Sequence, residues 1–175
     1  MHEAIGDLPP LKCGERGAEV KVYICETMCD YQKRARIGSC VIYNHEAPRL
    51  SKENQERLKY IKPGGNWTDI PDELLPKGMK RARKSDHTKR YGRVTPDGLA
   101  STILTKCDPH WGAYFHYNQD RSFTVREAAR LQSFPDHFIF TGPQGQQFAQ
   151  VGNAVPPLLA EAVGLALKSI LEEGS

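Results

Sequence analysis

Two helix-start signals within residues 121–157 constrain the fold of this chain more than any other stretch. In the first, Thr124 is followed three residues later by Glu127, a spacing in which the hydroxyl and the carboxylate each satisfy a free backbone amide. A helix that begins there must end near Ser133, because Pro135 disfavours helical geometry at the residue before it. The sequence therefore predicts a short helix with defined ends.

The second signal is Gly152-Asn153, which lies just before Pro156-Pro157. Proline is tolerated in the first turn of a helix, where its missing amide hydrogen is not needed. The Gly-Asn pair would then place backbone amides and one side-chain amide where a carboxylate or phosphate can bind. From Pro156 to about Leu171 apolar residues recur at helical spacing, which predicts a final helix with an apolar face. That face needs a hydrophobic sheet, and the chain offers no convincing parallel-sheet strands of its own.

Alternating and β-branched residues predict two short strands, over residues 20–24 and 39–43. The segment between them is basic, with Lys33, Arg34 and Arg36. Either an exposed loop or a contact to DNA phosphates fits that composition.

Ser51 is the expected N-cap of a helix over residues 51–60, which should end at the proline-glycine turn that follows. Trp67 is expected to be a buried packing residue. The turn at residues 96–98 and the β-branched run at residues 101–105 predict a hairpin.

Composition indicates a soluble globular chain that forms one domain or one lobe of a larger one. Of its 175 residues, 39% are hydrophobic and 26% are charged, as in ordinary folded domains. No apolar run comes near the roughly 20 residues of a membrane span, and the N-terminus lacks the pattern of a signal peptide. We therefore expect no membrane partner.

Neither a disulfide framework nor a metal site is expected. The five cysteines lack paired spacing, which is typical of reduced thiols in a cytoplasmic protein. Cys107, Asp108, His110 and His116 lie close together in the chain, but their spacing matches no standard zinc pattern.

Positive charge is concentrated in one segment. Between Lys77 and Arg93 eight basic residues face a single acid, so this segment carries +7 while the whole chain carries +3. A basic island on a mildly acidic body is typical of a surface that contacts phosphates. A solvated loop without a ligand is the alternative, because most charge runs are of that kind.

Two blocks carry a family resemblance: TVREAARLQSFPD at residues 124–136 and QVGNAVPPLLA at residues 150–160. They resemble, in order, the last two conserved blocks of the DNA (cytosine-5)-methyltransferase family. EAIGDLPPL at residues 3–11 and GGNW at residues 64–67 also resemble family segments. Helix capping alone would explain Thr124 and Glu127 but not the other residues of these blocks.

The resemblance implies an α+β chain with two parts. Residues 1–120 would form a small mixed target-recognition region with short strands that binds double-stranded DNA. Residues 121–175 would be a helical segment that completes a Rossmann-like methyltransferase lobe.

The family's chemistry requires groups that this sequence does not contain. In the family a cysteine that follows a proline adds to the cytosine ring, a glutamate supports the ring nitrogen, and S-adenosylmethionine supplies the methyl group. The target base is first flipped out of the duplex. No cysteine here follows a proline, and neither Glu-Asn-Val nor a glycine-rich cofactor loop is present. We therefore expect no catalytic residue in this chain and no activity from it alone.

The resemblance also assigns roles to particular residues. Asn153 and Val155 would close the S-adenosylmethionine pocket, whereas Arg126, Glu127 and Arg130 would brace the junction with the catalytic lobe. Thr102 would support the phosphate of the flipped nucleotide, although a strand threonine without that role is the alternative. The DNA-binding residues expected are Lys80, Arg81, Arg83, Lys84, Lys89, Arg90, Arg93 and Thr102.

These expectations describe one half of a split methyltransferase of a restriction-modification system, or the C-terminal piece of such an enzyme. We expect it in the cytoplasm of a bacterium, associated with the nucleoid. Its partner would be a catalytic lobe or subunit that carries the nucleophile. A stand-alone, non-catalytic DNA-binding module and an inactive methyltransferase remnant are the alternatives. A hydrolase built on His110, His116 and Asp108 lacks any paired geometry.

Overall fold

The computed structural model describes residues 1–16 and 20–173, which form a small mixed α/β structure with few strands. The strands β1 and β2 form a two-stranded antiparallel sheet in which Val20 pairs with Tyr43 and Val22 with Val41. Long irregular segments connect the regular elements. The elements in chain order are α1 (His2–Ile5), β1 (Val20–Val22), α2 (Asp30–Arg36), β2 (Val41–Tyr43), α3 (Lys52–Leu58), a 3-10 helix (Trp67–Asp69), α4 (Val125–Leu131), α5 (Gln144–Asn153) and α6 (Pro157–Glu173).

Both predicted strands are confirmed, although each is shorter than expected. The interpretation of the segment between them as an exposed loop is wrong. That segment is the helix α2, whose Gln32 and Ala35 are buried. Arg36 lies at its end and forms an ion pair with the buried Asp7 across 2.7 Å. Three basic residues made the segment look exposed, whereas burial of its other face against α1 makes it helical.

The helix after Ser51 is confirmed. The Ser51 hydroxyl accepts a hydrogen bond from the amide of Asn54 at 3.2 Å and caps α3. Trp67 is buried as expected, with 2% of its surface exposed, and its ring nitrogen donates to the carbonyl of Asp86.

The turn predicted at residues 96–98 is confirmed, and the amide of Gly98 donates to the carbonyl of Thr95 at 3.2 Å. The hairpin is wrong, because residues 101–105 form no strand. The Tyr114 hydroxyl donates to the carbonyl of Thr102 and accepts from the amide of Leu104. A side chain therefore takes two of the backbone groups that a neighbouring strand would otherwise bind.

Two hydrophobic clusters lie within the described part of the chain. The larger one joins α1 and β2 to α4 and α5, so it contains residues from both sides of the boundary expected at residue 120. The division into residues 1–120 and 121–175 remains a prediction. The smaller cluster contains Leu50, Leu58, Ile61, Trp67, Ile70, Met79, Tyr91 and Phe115.

The capped helix at Thr124 is confirmed as α4, with both reciprocal hydrogen bonds of the capping box present. The interpretation of Gly152-Asn153 as a turn before a helix is wrong. These residues form the last turn of α5, where their amides belong to the helical hydrogen-bond ladder. Gly152 is required there because a Cβ atom would lie 2.5 Å from the backbone nitrogen of Thr105.

The final helix is confirmed as α6, and none of its residues is buried. Its start is fixed by the amide of Leu158, which donates to the Ser133 hydroxyl at 3.1 Å, and by an ion pair of Arg34 with Glu161 at 2.5 Å. Beyond that point its apolar side chains face solvent.

By length and composition alone, one stretch of the described residues, Gln144–Glu173, could cross a membrane. This contradicts the expectation that no apolar run of that size exists. The stretch comprises α5 and α6, and a single such helix is a weak indication. An apolar helix that packs on another protein element has the same composition.

Candidate functional site

The best-ordered polar site is built around Arg130 on α4. Its guanidinium donates to both oxygens of Asp136, at 2.6 Å and 2.5 Å, and to Asp7 at 3.0 Å. It also donates to the carbonyl of Ala4 at 2.9 Å. All three charged side chains are fully buried. Arg130 therefore ties the N-terminal segment to the loop that follows α4.

Arg126, one turn earlier on α4, is also fully buried. Its guanidinium donates to three backbone carbonyls: that of Tyr43 in β2 and those of Pro135 and Phe138 in the loop after α4. Guanidinium donors of this kind fix the position of a loop, because each backbone acceptor is satisfied in only one geometry.

Glu127 forms the third part of this site. Its carboxylate accepts two hydrogen bonds from the guanidinium of Arg121, at 2.8 Å and 2.6 Å, and one from the amide of Thr124. His116 lies 3.6 Å from the same carboxylate. His45 contacts the Thr124 hydroxyl at 3.0 Å, and its other ring nitrogen donates to the carbonyl of Pro9.

Burial and charge set the pKa values in this site. Burial alone would raise the pKa of Glu127, but the charge and the hydrogen bonds of Arg121 outweigh it and hold that pKa at about 2. For Arg130, burial lowers the pKa, whereas Asp136 and Asp7 together raise it above its ordinary value. Burial lowers the pKa of His116 to about 4 and also lowers that of His45. Both histidines are therefore neutral at pH 7, and the arginines and carboxylates carry the charge.

We call the three residues Arg126, Glu127 and Arg130, with their buried partners, the α4 junction. The structure brings all three expected junction residues together on one helix and buries them. The sequence prediction did not include Arg121 and Asp7 as partners. Asp136 belongs to the first quoted block, so the family resemblance was the signal for it, but no contact with Arg130 was predicted.

The basic island lies on the surface around the smaller hydrophobic cluster. Five of the expected DNA-binding residues are exposed: Lys80, Arg81, Arg83, Lys84 and Lys89. Arg90 is half-buried and lies over the ring of Trp111 at 5.1 Å. Arg93 is also half-buried, and it donates to Asp120 at 2.6 Å. The exposed lysines and arginines offer charge to a ligand, whereas Arg90 and Arg93 are held in place.

Thr102 is exposed and lies outside regular structure, in the segment where a strand was expected. The Tyr114 hydroxyl fixes the backbone of this segment through the carbonyl of Thr102, whereas the exposed Thr102 side chain takes no part in that contact. Its expected role toward a nucleotide phosphate stays a prediction.

Asn153 and Val155 lie at the end of α5 and in the connection to α6, and both are exposed. An amide side chain and an open apolar side chain at such a position can form one wall of a cofactor pocket, but they cannot enclose a cofactor. No group of three or more His, Cys, Asp or Glu side chains among the described residues could hold a metal ion.

Sequence comparisons show the family of this chain. The family described as C-5 cytosine-specific DNA methylase matches residues 16–169. DNA (cytosine-5)-methyltransferase 4 of Arabidopsis thaliana is 36% identical over 98% of this chain and 12% of its own length. Type II methyltransferase M.DdeI of Desulfomicrobium norvegicum is 35% identical over 93% of this chain and 41% of its own length. Type II methylase M.HgiDII of Herpetosiphon aurantiacus is 39% identical over 73% of this chain and 38% of its own length.

A solved structure, provisionally described as a DNA modification methyltransferase encoded within an E. coli prophage, has the same fold. The two structures superpose with a TM-score of 0.65 at 22% sequence identity. The match includes 97% of this chain and 46% of the chain of the solved structure. The chain therefore spans less than half the length of these curated relatives and of this structural neighbour. The match over residues 16–169 shows that this chain belongs to the C-5 cytosine-specific DNA methylase family.

Proposed function

We propose that this chain is the target-recognition half of a DNA (cytosine-5)-methyltransferase. The complete enzyme would transfer a methyl group from S-adenosylmethionine to carbon 5 of cytosine in duplex DNA. The cysteine nucleophile and the glycine-rich cofactor loop would come from another chain or from a segment outside this sequence. The exposed apolar face of α6 carries this proposal, because a helix of that composition requires a partner.

Side chains along the whole of α6 are open to solvent, including Leu159, Val163, Leu165, Leu167 and Ile170. Soluble proteins rarely expose a continuous apolar surface of this kind unless it binds another surface. The helix begins directly beside the buried α4 junction, to which Ser133 connects it. A partner that packs on α6 would therefore lie against the junction as well.

The partner that fits best is the sheet of a Rossmann-like lobe, because a parallel sheet takes helices on its faces. Asn153 and Val155 precede α6 immediately, so packing of α6 would bring them to the same lobe. There they would form one wall of the S-adenosylmethionine pocket. The cofactor would supply the methyl group, and this chain would position the DNA and close one side of the cofactor pocket.

The basic island would hold the DNA. Lysine and arginine contacts to phosphates position a duplex without specifying its sequence. The island is packed on the smaller hydrophobic cluster through Met79 and Tyr91, so its position relative to the α4 junction is set by folded structure. The α4 junction would in turn hold the recognition part in register with the catalytic lobe.

Methyl transfer tests this proposal directly. Labelled S-adenosylmethionine and mixed-sequence duplex DNA would be incubated with this chain alone, then with a candidate lobe that carries the Pro-Cys nucleophile and cofactor loop. Transfer only in the mixture is expected. Transfer by this chain alone would contradict the assignment of the nucleophile to another segment.

A stand-alone DNA-binding module is the second candidate, and one observation favours it. The smaller hydrophobic cluster, which supports the basic island, contains no residue of α6. DNA binding could therefore persist without a catalytic partner. Salt-dependent DNA binding without methyl transfer in any mixture would support this module or an inactive remnant. A cellular location on the nucleoid of a bacterium fits either candidate.

A further inference from the structure

A small cleft lies at the edge of the basic island. It has a volume of about 160 Å³ and is lined by the backbone of two glycine segments and by several polar side chains. We call it the Arg93 cleft. Its lining includes Gly64, Gly65, Lys89, Gly92, Arg93 and Ser101, together with apolar side chains.

Two buried side-chain atoms in this cleft have no hydrogen-bond partner. They are the Nε atom of Arg93 and the hydroxyl oxygen of Ser101, and no other buried side-chain nitrogen or oxygen in the described part of the chain is in this state. A buried polar group without a partner is destabilising, so native structures rarely keep one without a reason. Both residues line the same cleft, so both atoms are available to a ligand that binds there.

The cleft is held in shape by backbone contacts. The amide of Gly64 donates to the carbonyl of Arg93 at 2.8 Å, and the amide of Arg93 donates to the carbonyl of Gly65 at 3.0 Å. Gly64 has a φ of 84°, a conformation that favours glycine. At Gly92 a Cβ atom would lie 2.6 Å from that of Ala113. The backbone therefore approaches closely on both sides of Arg93.

Arg93 is oriented before any ligand arrives. Its Nη2 atom donates to Asp120 at 2.6 Å, and only 11% of its side chain is exposed. That ion pair holds the guanidinium and leaves Nε available. Because the position is fixed in advance, binding there would cost little side-chain entropy.

The chemistry of the lining indicates the ligand. Lys89 and Arg93 are cationic, and no carboxylate belongs to the described residues that line the cleft. The unpartnered Nε–H is a donor, and the Ser101 hydroxyl can donate as well. A small anion with several acceptor oxygens suits such a lining, and the phosphate group is the anion of this kind that duplex DNA carries.

We propose that the Arg93 cleft binds one phosphate of the DNA backbone, with Arg93 Nε and the Ser101 hydroxyl as donors. This inference rests on the proposed binding of duplex DNA. It adds that Arg93 acts through a fixed hydrogen bond, whereas Arg83 and its exposed neighbours act through charge. Lys89, which also lines the cleft, connects it to the exposed surface of the island.

Ser101→Ala in the full chain gives the sharpest test, because binding and stability should change in opposite directions. Loss of a hydrogen bond to a charged oxygen should weaken binding to a fluorescent duplex about tenfold. Removal of an unsatisfied buried hydroxyl should leave the melting temperature unchanged or raise it. Ser85→Ala is the matched control, since Ser85 is exposed within the same island. Unchanged DNA affinity in Ser101→Ala would overturn the proposal.

Arg93→Lys tests the donor at constant charge. Lysine keeps the positive charge but lacks Nε, so affinity should fall about tenfold while the salt dependence of binding stays the same. Arg83→Lys is the control and should change neither quantity, because an exposed point charge is replaced by another. Equal effects of the two substitutions would contradict a fixed hydrogen bond at Arg93.

The source of the phosphate is resolved by competition. Inorganic phosphate titrated into the chain should shift the Arg93 Nε–H resonance at millimolar concentrations, and duplex DNA should displace it. A duplex with one neutral methylphosphonate at the contacted position should bind the wild-type chain and the Ser101→Ala variant with equal affinity. Binding of inorganic phosphate that DNA does not displace would overturn the assignment to DNA.

Failure of this proposal differs from failure of the proposed function. If the full chain shows no salt-dependent DNA binding, the proposed function fails and this inference with it. If the wild-type chain binds DNA and neither cleft variant changes affinity, only the assignment of the cleft fails.

Discussion

Arg130 and Asp136 face each other through two parallel hydrogen bonds, from Nε to Oδ1 at 2.6 Å and from Nη2 to Oδ2 at 2.5 Å, and both side chains are fully buried. The pair spans the end of α4 and the loop after it. Asp7 shares the same guanidinium at 3.0 Å. One arginine therefore connects the first residues of the chain to the family block at residues 124–136.

Asp136→Asn should destabilise the chain by about 3 kcal/mol, because removal of one charge leaves the buried Arg130 with a single carboxylate partner. Urea unfolding followed by circular dichroism measures the difference. Glu56→Ala breaks an exposed ion pair with Lys59 and serves as the control, with an expected change below about 0.5 kcal/mol. Equal effects of the two substitutions would mean that the buried ion pair contributes no more to the free energy of unfolding than an exposed one.

Acid should destabilise the chain in two steps. The folded-state pKa of His116, about 4, lies below its unfolded value, so its contribution is present above pH 6.5 and is lost as pH falls from there toward 4. The pKa of Glu127, about 2, is also lowered, so its contribution is lost below pH 4.5. His116→Gln should reduce the first step by up to roughly 3 kcal/mol. It should not abolish that step, because burial also lowers the pKa of His45, and it should leave the second step unchanged. A fall of the same steepness in wild type and variant between pH 6.5 and 4.5 would argue against this role of His116.

Gly152→Ala should destabilise the fold by about 2 kcal/mol, because its Cβ atom would meet the backbone of Leu104 and Thr105. Gly145→Ala in the same helix is the control, since no atom lies within 4 Å of its Cβ position. That substitution should be neutral or stabilise the chain by about 0.5 kcal/mol. Thermal unfolding of both variants measures the difference. If Gly152→Ala does not change the stability, the loop at residue 104 moves freely.

The double substitution Val163→Ser with Leu167→Ser changes two exposed apolar residues one helical turn apart on α6. The isolated chain should keep its stability within about 0.5 kcal/mol, since neither side chain is buried. Methyl transfer in a mixture with the catalytic lobe should be lost. Lys168→Ser on the same helix is the control and should keep it. Full activity of the double variant would rule out α6 as the docking surface.

Arg83→Ala should weaken binding to every duplex alike and lower the slope of log affinity against log salt by about 1, because one phosphate contact is lost. Fluorescence anisotropy at several salt concentrations measures that slope. Lys168→Ala, which lies outside the island, should leave it unchanged. A sequence-dependent loss from Arg83→Ala would instead indicate that this residue contacts bases.

The sequence by itself determined the features that depend on neighbouring residues. The capping box at Thr124 and Glu127 and the N-cap at Ser51 formed as expected, because each joins groups three residues apart. The apolar periodicity of α6 also predicted its helix correctly, and the quoted blocks indicated the family. Local spacing is sufficient for the caps and for the helix, whereas the family follows from the resemblance of the two blocks.

Only the tertiary structure decided where distant residues meet. The segment with Lys33 and Arg34 became the helix α2 because its other face packs on α1. The expected strand at Thr102 did not form, because the Tyr114 hydroxyl takes its backbone groups. Asp7 reaches Arg130 across 123 residues, and Arg93 and Ser101 meet in a cleft with Gly64 and Gly65. Such contacts depend on chain topology, which spacing along the sequence does not contain.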